Sequence, residues 1–272
     1  MSIIEAIVLG IVQGLTEFLP ISSTGHLRII PAFLGWEDPG TPFTAVIQLG
    51  TMAAVVIYFR QDLWSIGRTW LLSLRDEDLR SERDARMGWY LIAGTVPISV
   101  FGVAFQDRIE TGARDLYLIG SALIVLGLVL YVAEAVAKRE RDERSATLRD
   151  AIIVGGAQAL ALIPGVSRSG STITAGLFLG FDRAAAARFS FLLSVPAVVL
   201  SGLFELRDFL DAEKDQGFVV IAVATLFAFI SGYAAIAGLL SFLANHSTKV
   251  FVAYRIGLGA LVIALTAAGA IS

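Results

Sequence analysis

The chain of 272 residues has no cysteine, so no disulfide points to one compartment or another. Charge is scarce, at 17% of residues, and the net charge of −3 gives no basic face for nucleic acid. There are two histidines. The first residues lack the basic start and the cleavage site of a signal peptide, so residue 1 is expected to begin the mature chain. What abounds is apolar. With 56% hydrophobic residues and a mean hydropathy of +0.74, the composition is that of an integral membrane protein.

Two polar stretches interrupt this background. Gln13-Gly-Leu-Thr-Glu17-Phe-Leu-Pro-Ile-Ser22-Ser23-Thr24-Gly25-His26 sets a carboxylate, two serines, a threonine and an imidazole inside an apolar N-terminal segment. Unpaired polar groups are expensive in hydrocarbon, so such a cluster needs a role. Far downstream lies Gln158-Ala-Leu-Ala-Leu-Ile-Pro164-Gly-Val-Ser167-Arg168-Ser169-Gly170-Ser171-Thr172. The two are copies. Ala6, Gly10, Gln13, Leu15, Ser22 and Gly25 match Ala151, Gly155, Gln158, Leu160, Ser167 and Gly170 at one constant spacing, and only the proline slips by a residue. Phe33-Leu34-Gly35 recurs as Phe178-Leu179-Gly180 at that same spacing. The differences carry as much as the matches. Glu17 and His26 belong to the first copy, which has Ser23 where the second has Arg168; the second has Ser171 in place of the histidine. One copy holds acid–base groups and the other a fixed cation.

Residues 2–19 are apolar but end at Pro20 and the polar run, and 27–34 are too short to span. That pattern predicts a re-entrant hairpin over 2–34 and a second over 151–180. Full spans are expected at 43–59, 88–106, 116–137, about 189–206, 218–243 and 250–270, with a kink at Pro97. The loops 60–86 and 138–149 carry six and five Lys/Arg, and 181–188 and 244–249 add two and one. The loops 35–42, 107–115 and 207–217 carry none, two and two. Cations concentrate on the cytoplasmic side, which gives six spans with both termini outside. Hairpin one then enters from outside and hairpin two from the cytoplasm. The expected fold is an all-α polytopic membrane protein of six transmembrane helices plus two re-entrant helical hairpins in an inverted-topology repeat. It forms one domain, with repeat one at about 1–110 and repeat two at about 150–272.

Broken helices of this kind build a site at the membrane midplane. Two half-helix N-termini facing one another favour an anion, and Arg168 adds a cation that grips phosphate or carboxylate in two places, phosphate suiting the site best. Glu17 in such a setting is neutral, paired with Arg168 or bound to a metal. Pairing with Arg168 merely to hold the tips together is the plainer alternative. Gln13 lies one turn earlier on the same face, so Glu17 and Gln13 with phosphate oxygens are the expected ligands of a divalent cation, Mg²⁺ or Ca²⁺. His26 sits where a general acid or base belongs, against the alternative of a core histidine satisfied by a backbone carbonyl. His246 falls in a polar loop and reads as a surface residue. Ser22, Ser23 and Thr24 cap the half-helix or meet phosphate, and Ser23 is the candidate to attack phosphorus, in competition with a water activated by Glu17 or His26. Ser167, Ser169, Ser171 and Thr172 donate to phosphate oxygens or cap. Arg28 and Arg255, read as lying near span ends, are expected to snorkel.

Gly14-Leu-Thr-Glu17-Phe-Leu-Pro-Ile-Ser-Ser-Thr-Gly-His26 and Pro164-Gly-Val-Ser-Arg-Ser-Gly170 resemble the two signature motifs of the undecaprenyl-diphosphate phosphatase (bacitracin-resistance) family. Length, span count and the Ser/Thr-Val-Pro pieces at 95–97 and 194–196 fit the same family, so the likeness covers the whole chain. The resemblance implies removal of the terminal phosphate of a C55 lipid diphosphate at the outer face of the bacterial plasma membrane, which recycles the carrier for cell-wall synthesis. By motif position it implies that Glu17 is the essential carboxylate, Ser23 and His26 the catalytic pair, and Arg168 with Ser167 and Thr172 the phosphate clamp. The family's first acidic position, often Glu and sometimes Gln, is Gln13 here, which leaves fewer carboxylates for a metal. Expected partners are the polyprenyl diphosphate, membrane lipids and a second copy of the chain. The competing reading is a transporter or flippase for a lipid phosphate, since the same architecture serves alternating access. A purely structural membrane protein would have no use for a buried Glu, His and Arg.

Overall fold

The computed structural model describes residues 1–105 and 115–271, without the side chains of 201–215. Helices make up nearly all of it. They are α1 (Ile3–Phe18), α2 (Ser23–Leu34), α3 (Gly40–Tyr58), α4 (Arg60–Ser73), α5 (Arg83–Ala104) and α6 (Leu116–Val136), then α7 (Leu148–Ala159), α8 (Arg168–Phe178), α9 (Arg183–Gln216), α10 (Phe218–Asn245) and α11 (Lys249–Ala267). Among the described residues six helices are long and apolar enough to cross a membrane: α3, α5, α6, the Arg183–Leu200 part of α9, α10 and α11.

The two copied stretches fold alike, and the likeness starts earlier than the sequence match suggested. α1 opens with a capping box in which Ser2 and Glu5 each accept the other's backbone N–H. α7 opens with the same device made by Thr147 and Asp150. Each descending helix stops where a proline approaches, because the residue before proline avoids helical ψ. Leu19 is extended before Pro20, and Ile163 is extended before Pro164 after a 3₁₀ turn at Leu160–Leu162. The second copy thus reaches its proline one residue sooner and regains the spacing with Gly165-Val166 where the first has Ile21 alone. Each returning helix then starts from a serine at positive φ, Ser22 at 78° and Ser167 at 72°, whose hydroxyl accepts the N–H of Gly25 or Gly170. Each is followed by a glycine at positive φ, Gly35 at 66° and Gly180 at 86°, a conformation that a Cβ would strain.

Close helix contacts seat both pairs. A Cβ at Gly10 of α1 would stand 2.3 Å from the carbonyl oxygen of Ala224 on α10. At Gly155 of α7 it would stand 2.0 Å from the carbonyl oxygen of Gly94 on α5. α1 therefore packs on α10 and α7 on α5, each at van der Waals contact of backbones. Behind them a core of Phe18, Phe59, Phe181, Phe189, Phe191 and Leu192 fills the space between α1, α3, α8 and α9.

Several boundaries differ from expectation. α9 begins at Arg183, with Asp182 accepting the N–H of Ala185, so most of the expected loop 181–188 is helical. It runs on to Gln216 through the loop expected at 207–217, because that stretch is free of Gly and Pro until Gly217. The stretch after Arg60 carries α4, with Trp64 exposed. The loop expected at 107–115 lies, except for Asp115, outside the described residues.

On the face that carries most of the cations, ion pairs hold the elements together. Arg188 joins Asp62 and Glu143, and Glu143 also meets Arg83 at 3.4 Å. Glu134 at the end of α6 is 1% exposed and is held by Arg183, Arg139 and Thr248, which links α6, α9 and α11. Arg141 closes the base of α7–α8. It bonds Asp150 at 2.6 Å and the Leu179 carbonyl at 3.0 Å, and its guanidinium lies 4.6 Å over Phe181. Burial alone would push the Asp150 carboxyl up, but the hydrogen bonds from Arg141 and Thr147 bring it below the usual carboxylate range. Arg141 is raised by the same pair.

Candidate active site

The tips of the two pairs meet. Glu17, on the last turn of α1, is 8% exposed, and both its carboxylate oxygens are engaged. Oε1 accepts from Arg168 Nη2 at 2.5 Å, across from α8. Oε2 accepts from the Ser23 hydroxyl at 2.6 Å and from Gln13 Nε2 at 3.2 Å. Gln13 thus shares the face of Glu17 as its spacing implied, and turns its nitrogen toward the carboxylate. A second tie between the tips runs from the Ser169 hydroxyl to the Leu19 carbonyl at 3.0 Å.

His26 is buried on the first turn of α2. Its Nδ1 lies 2.6 Å from the Ser22 carbonyl and its Nε2 2.7 Å from the hydroxyl of Tyr254 on α11. Both the backbone carbonyl of the plainer reading and a separate hydroxyl partner are therefore present. Ser23 hydrogen-bonds Glu17, whereas the partners of His26 are Ser22 and Tyr254.

The remaining hydroxyls divide by role. Ser22 and Ser167 cap their helices and lie 3.3 and 3.2 Å from Thr24 and Ser169. Ser171 and Thr172 both return hydrogen bonds to the Arg168 carbonyl, and Thr172 also meets Ser190 on α9 at 2.5 Å. Thr24 is exposed and Ser23 half-buried, so the site opens on the side where α2 begins. His246 is exposed and stacks on Phe242. The geometry thus brings Gln13, Glu17, Ser23 and Arg168 into one hydrogen-bonded cluster, with Ser169 bridging beside it and His26 one turn away.

Arg255 corrects the snorkelling expectation. It is 0% exposed, and its guanidinium is spread over backbone carbonyls: Pro20 at 3.0 Å in the first tip, Gly165 at 3.2 Å and Val166 at 2.9 Å in the second, and Ala122 and Leu123 on α6. Proline-interrupted tips have carbonyls that no helical N–H reaches, and one planar fork of five donors satisfies several at once. Because Arg255 lies about 9 Å inside the start of α11, a full turn and a half beyond Lys249, its depth was the available signal. Arg28, the other expected snorkeler, pairs with Asp38 at 3.3 Å. Among the described residues no carboxylate pairs with Arg255, whereas Arg168 and Glu17 balance each other. The tips therefore carry net positive charge, which suits an anion.

As for a metal, Glu17 is the one carboxylate of this cluster, and no group of three or more His, Asp or Glu side chains suited to an ion occurs among the described residues. Glu17 and Gln13 are the side chains of this cluster that could hold a divalent cation, and both Glu17 oxygens are here taken up by Arg168, Ser23 and Gln13.

The model of the bacitracin resistance protein BacA family matches residues 6–261. An undecaprenyl-diphosphatase of Nocardioides sp. is 54% identical over 269 residues, covering 99% of this chain and 98% of that protein. One of Chlorobium phaeobacteroides is 52% identical over 278 residues, covering 99% of each. Undecaprenyl-diphosphatase 2 of Streptomyces avermitilis is 49% identical over 284 residues, covering 100% of this chain and 97% of that one.

Proposed function

The chain belongs to the bacitracin resistance protein BacA family, and from that premise we propose that it hydrolyses undecaprenyl diphosphate to the monophosphate and inorganic phosphate. The observation that carries this reading is the Ser23–Glu17–Arg168 chain of hydrogen bonds. A hydroxyl within 2.6 Å of a carboxylate that is itself oriented by other groups is the arrangement of a nucleophile and its base. Here Arg168 and Gln13 do the orienting. A guanidinium has five N–H donors, so Arg168 can keep Glu17 and meet phosphate oxygens with the rest of its fork. A carrier would need the cation and not the hydroxyl–carboxylate pair.

In the proposed reaction the Ser23 hydroxyl gives its proton to Glu17 as Oγ bonds the terminal phosphorus. The bond from that phosphorus to the bridging oxygen breaks, and the lipid monophosphate leaves with the electron pair. Water then attacks the phosphoserine, its proton passes to a base of the site, and inorganic phosphate departs with Ser23 Oγ reprotonated from Glu17. His26 Nε2 is the second proton-handling atom and serves the water step. The N–H groups at the starts of α2 and α8 and the Arg168 fork stabilise charge on the transferring phosphoryl group, with Ser22, Thr24, Ser167, Ser169 and Thr172 shaping those two N-termini. A bound Mg²⁺ or Ca²⁺, held by Glu17, Gln13 and the diphosphate, would neutralise phosphate charge.

We read α1–α2 and α7–α8 as re-entrant hairpins of an inverted repeat, supported by the matching caps, the paired serines at positive φ and the exchange of packing partners between α10 and α5. The cation-rich loops then face the cytoplasm of a bacterial plasma membrane. The site opens outward, where a lipid headgroup enters while its chain stays in the bilayer. Membrane lipids surround the chain, and a homodimer is the assembly we carry forward. Phosphate release from undecaprenyl diphosphate by the purified protein in detergent tests the activity. Binding of the lipid with no phosphate released would favour the carrier.

A further inference from the structure

The hydrogen bonds at His26 assign its tautomer and point to a residue absent from the motifs. A carbonyl oxygen only accepts, so at 2.6 Å from the Ser22 carbonyl Nδ1 must carry a proton. In the neutral ring that leaves the lone pair on Nε2, and Tyr254 Oη at 2.7 Å from it must be the donor. The two rings are nearly parallel, 8° apart, with centroids 5.6 Å from one another. The tyrosine is itself held in register. It precedes Arg255, whose bonds to Pro20, Gly165 and Val166 fix this turn of α11 against both tips. Tyr254 is 45% exposed, whereas the His26 it meets is 4% exposed.

We propose that Tyr254 is a positioning residue for proton transfer at His26 Nε2. Its hydroxyl donates to the neutral imidazole, which keeps Nε2 as the accepting nitrogen and aims it. A proton reaches Nε2 through this hydroxyl, which gives its own proton to the nitrogen, takes one from the site on Oη and then accepts from Nε2–H, so one group serves both protonation states. A phenylalanine keeps the ring contact and serves neither. This inference rests on the acid–base role given to His26 above, and the test separates the two.

Steady-state hydrolysis is measured for Tyr254→Phe, His26→Ala and the double variant. Tyr254→Phe is expected to lower kcat about tenfold or more with KM little changed, as general acid–base support acts in the transition state. In the His26→Ala background Tyr254→Phe should change kcat by less than about twofold, because residues that act through one another are not additive. The chain has two histidines, so ¹⁵N-histidine labelling gives two ring systems, with the exposed His246 as an internal reference. Tyr254→Phe should move the His26 Nε2 resonance and leave that of His246. Wild-type kcat in Tyr254→Phe, an equal loss in the His26→Ala background, or an unmoved His26 resonance would each overturn the proposal. Retained kcat in His26→Ala would overturn the role of His26 itself, and the proposal with it.

Discussion

Set side by side, the first and second helix–turn–helix pairs agree at the level of single hydrogen bonds and disagree in the side chains that a backbone does not need. Ser2 and Thr147 open the pairs with the same capping box, Ser22 and Ser167 turn them at the same positive φ, and Gly35 and Gly180 follow the returning helices. Against that common frame, Glu17 stands where the second pair has Leu162, Ser23 where it has Arg168, and His26 where it has Ser171. What is shared shapes a tip, and what differs has acid–base character or charge. Scaffold and chemical character are thus separated: one tip holds the carboxylate and the imidazole and the other the cation. The bases of the pairs differ as well. Asp150 is tied to Arg141, whereas its counterpart Glu5 bonds its own cap, so the cation-bearing pair is the more firmly anchored.

The sharpest break in the comparison is to remove the cation. Arg168→Ala should lower kcat/KM by about 10³–10⁵, the range for an arginine that stabilises a transferring phosphoryl group. Arg168→Lys should not restore it, since an ammonium lacks the planar fork. Near-native turnover of the lysine variant in a phosphate-release assay would rule out bidentate clamping. On the other tip, His26→Ala should lower kcat by about 10²–10⁴ and leave KM nearly unchanged. A loss seen in KM would make His26 a binding residue and blur the division.

Arg255 belongs to neither tip and tests what they share. Arg255→Met leaves carbonyls of Pro20, Gly165 and Val166 unpaired at about 1–3 kcal/mol each, so the melting temperature in detergent should fall by roughly 10 °C or more. An unchanged melting temperature would mean that the tips hold without the clamp. The smallest effect sharpens the contrast at the bases. Asp150 has its carboxyl held below the ordinary range, so it stabilises the fold above its unfolded value and loses that contribution as pH falls through the folded one. Asp150→Asn should melt a few degrees below the parent at neutral pH, and the gap should begin to narrow only below about pH 4 and close as pH falls past the folded value. Glu5→Gln should show much less at any pH. Equal behaviour of the two variants would remove the asymmetry.

Much of this was legible in the residues, because lipid imposes strong patterns. Apolar length located the six spans, and the constant spacing of Ala6 and Ala151 through Gly25 and Gly170 identified the paired tips. The Glu17–Gln13 face followed from helical spacing alone. The course of α9 through 207–216 did not, since hydropathy reports where lipid ends and not where hydrogen bonding ends. Arg255 and Tyr254 escaped for a different reason. Position along one helix says little about which loops from elsewhere arrive at that depth, and the carbonyls that hold Arg255 come from residues 90 and 235 positions away. Pairing of Ser23 with Glu17 rather than His26 is likewise a matter of rotamers that spacing does not encode.

The central claim, that the first tip supplies a nucleophilic serine and its base while the second holds the phosphate, is tested most directly by the stereochemical course at phosphorus. An undecaprenyl diphosphate made chiral at its terminal phosphorus with oxygen isotopes and sulfur is hydrolysed in isotopic water, and the configuration of the released thiophosphate is read. Attack by Ser23 followed by attack of water is two displacements, so retention is expected. Inversion would mean that water attacks directly, with Glu17 as its base and Ser23 as no more than a hydrogen-bond donor.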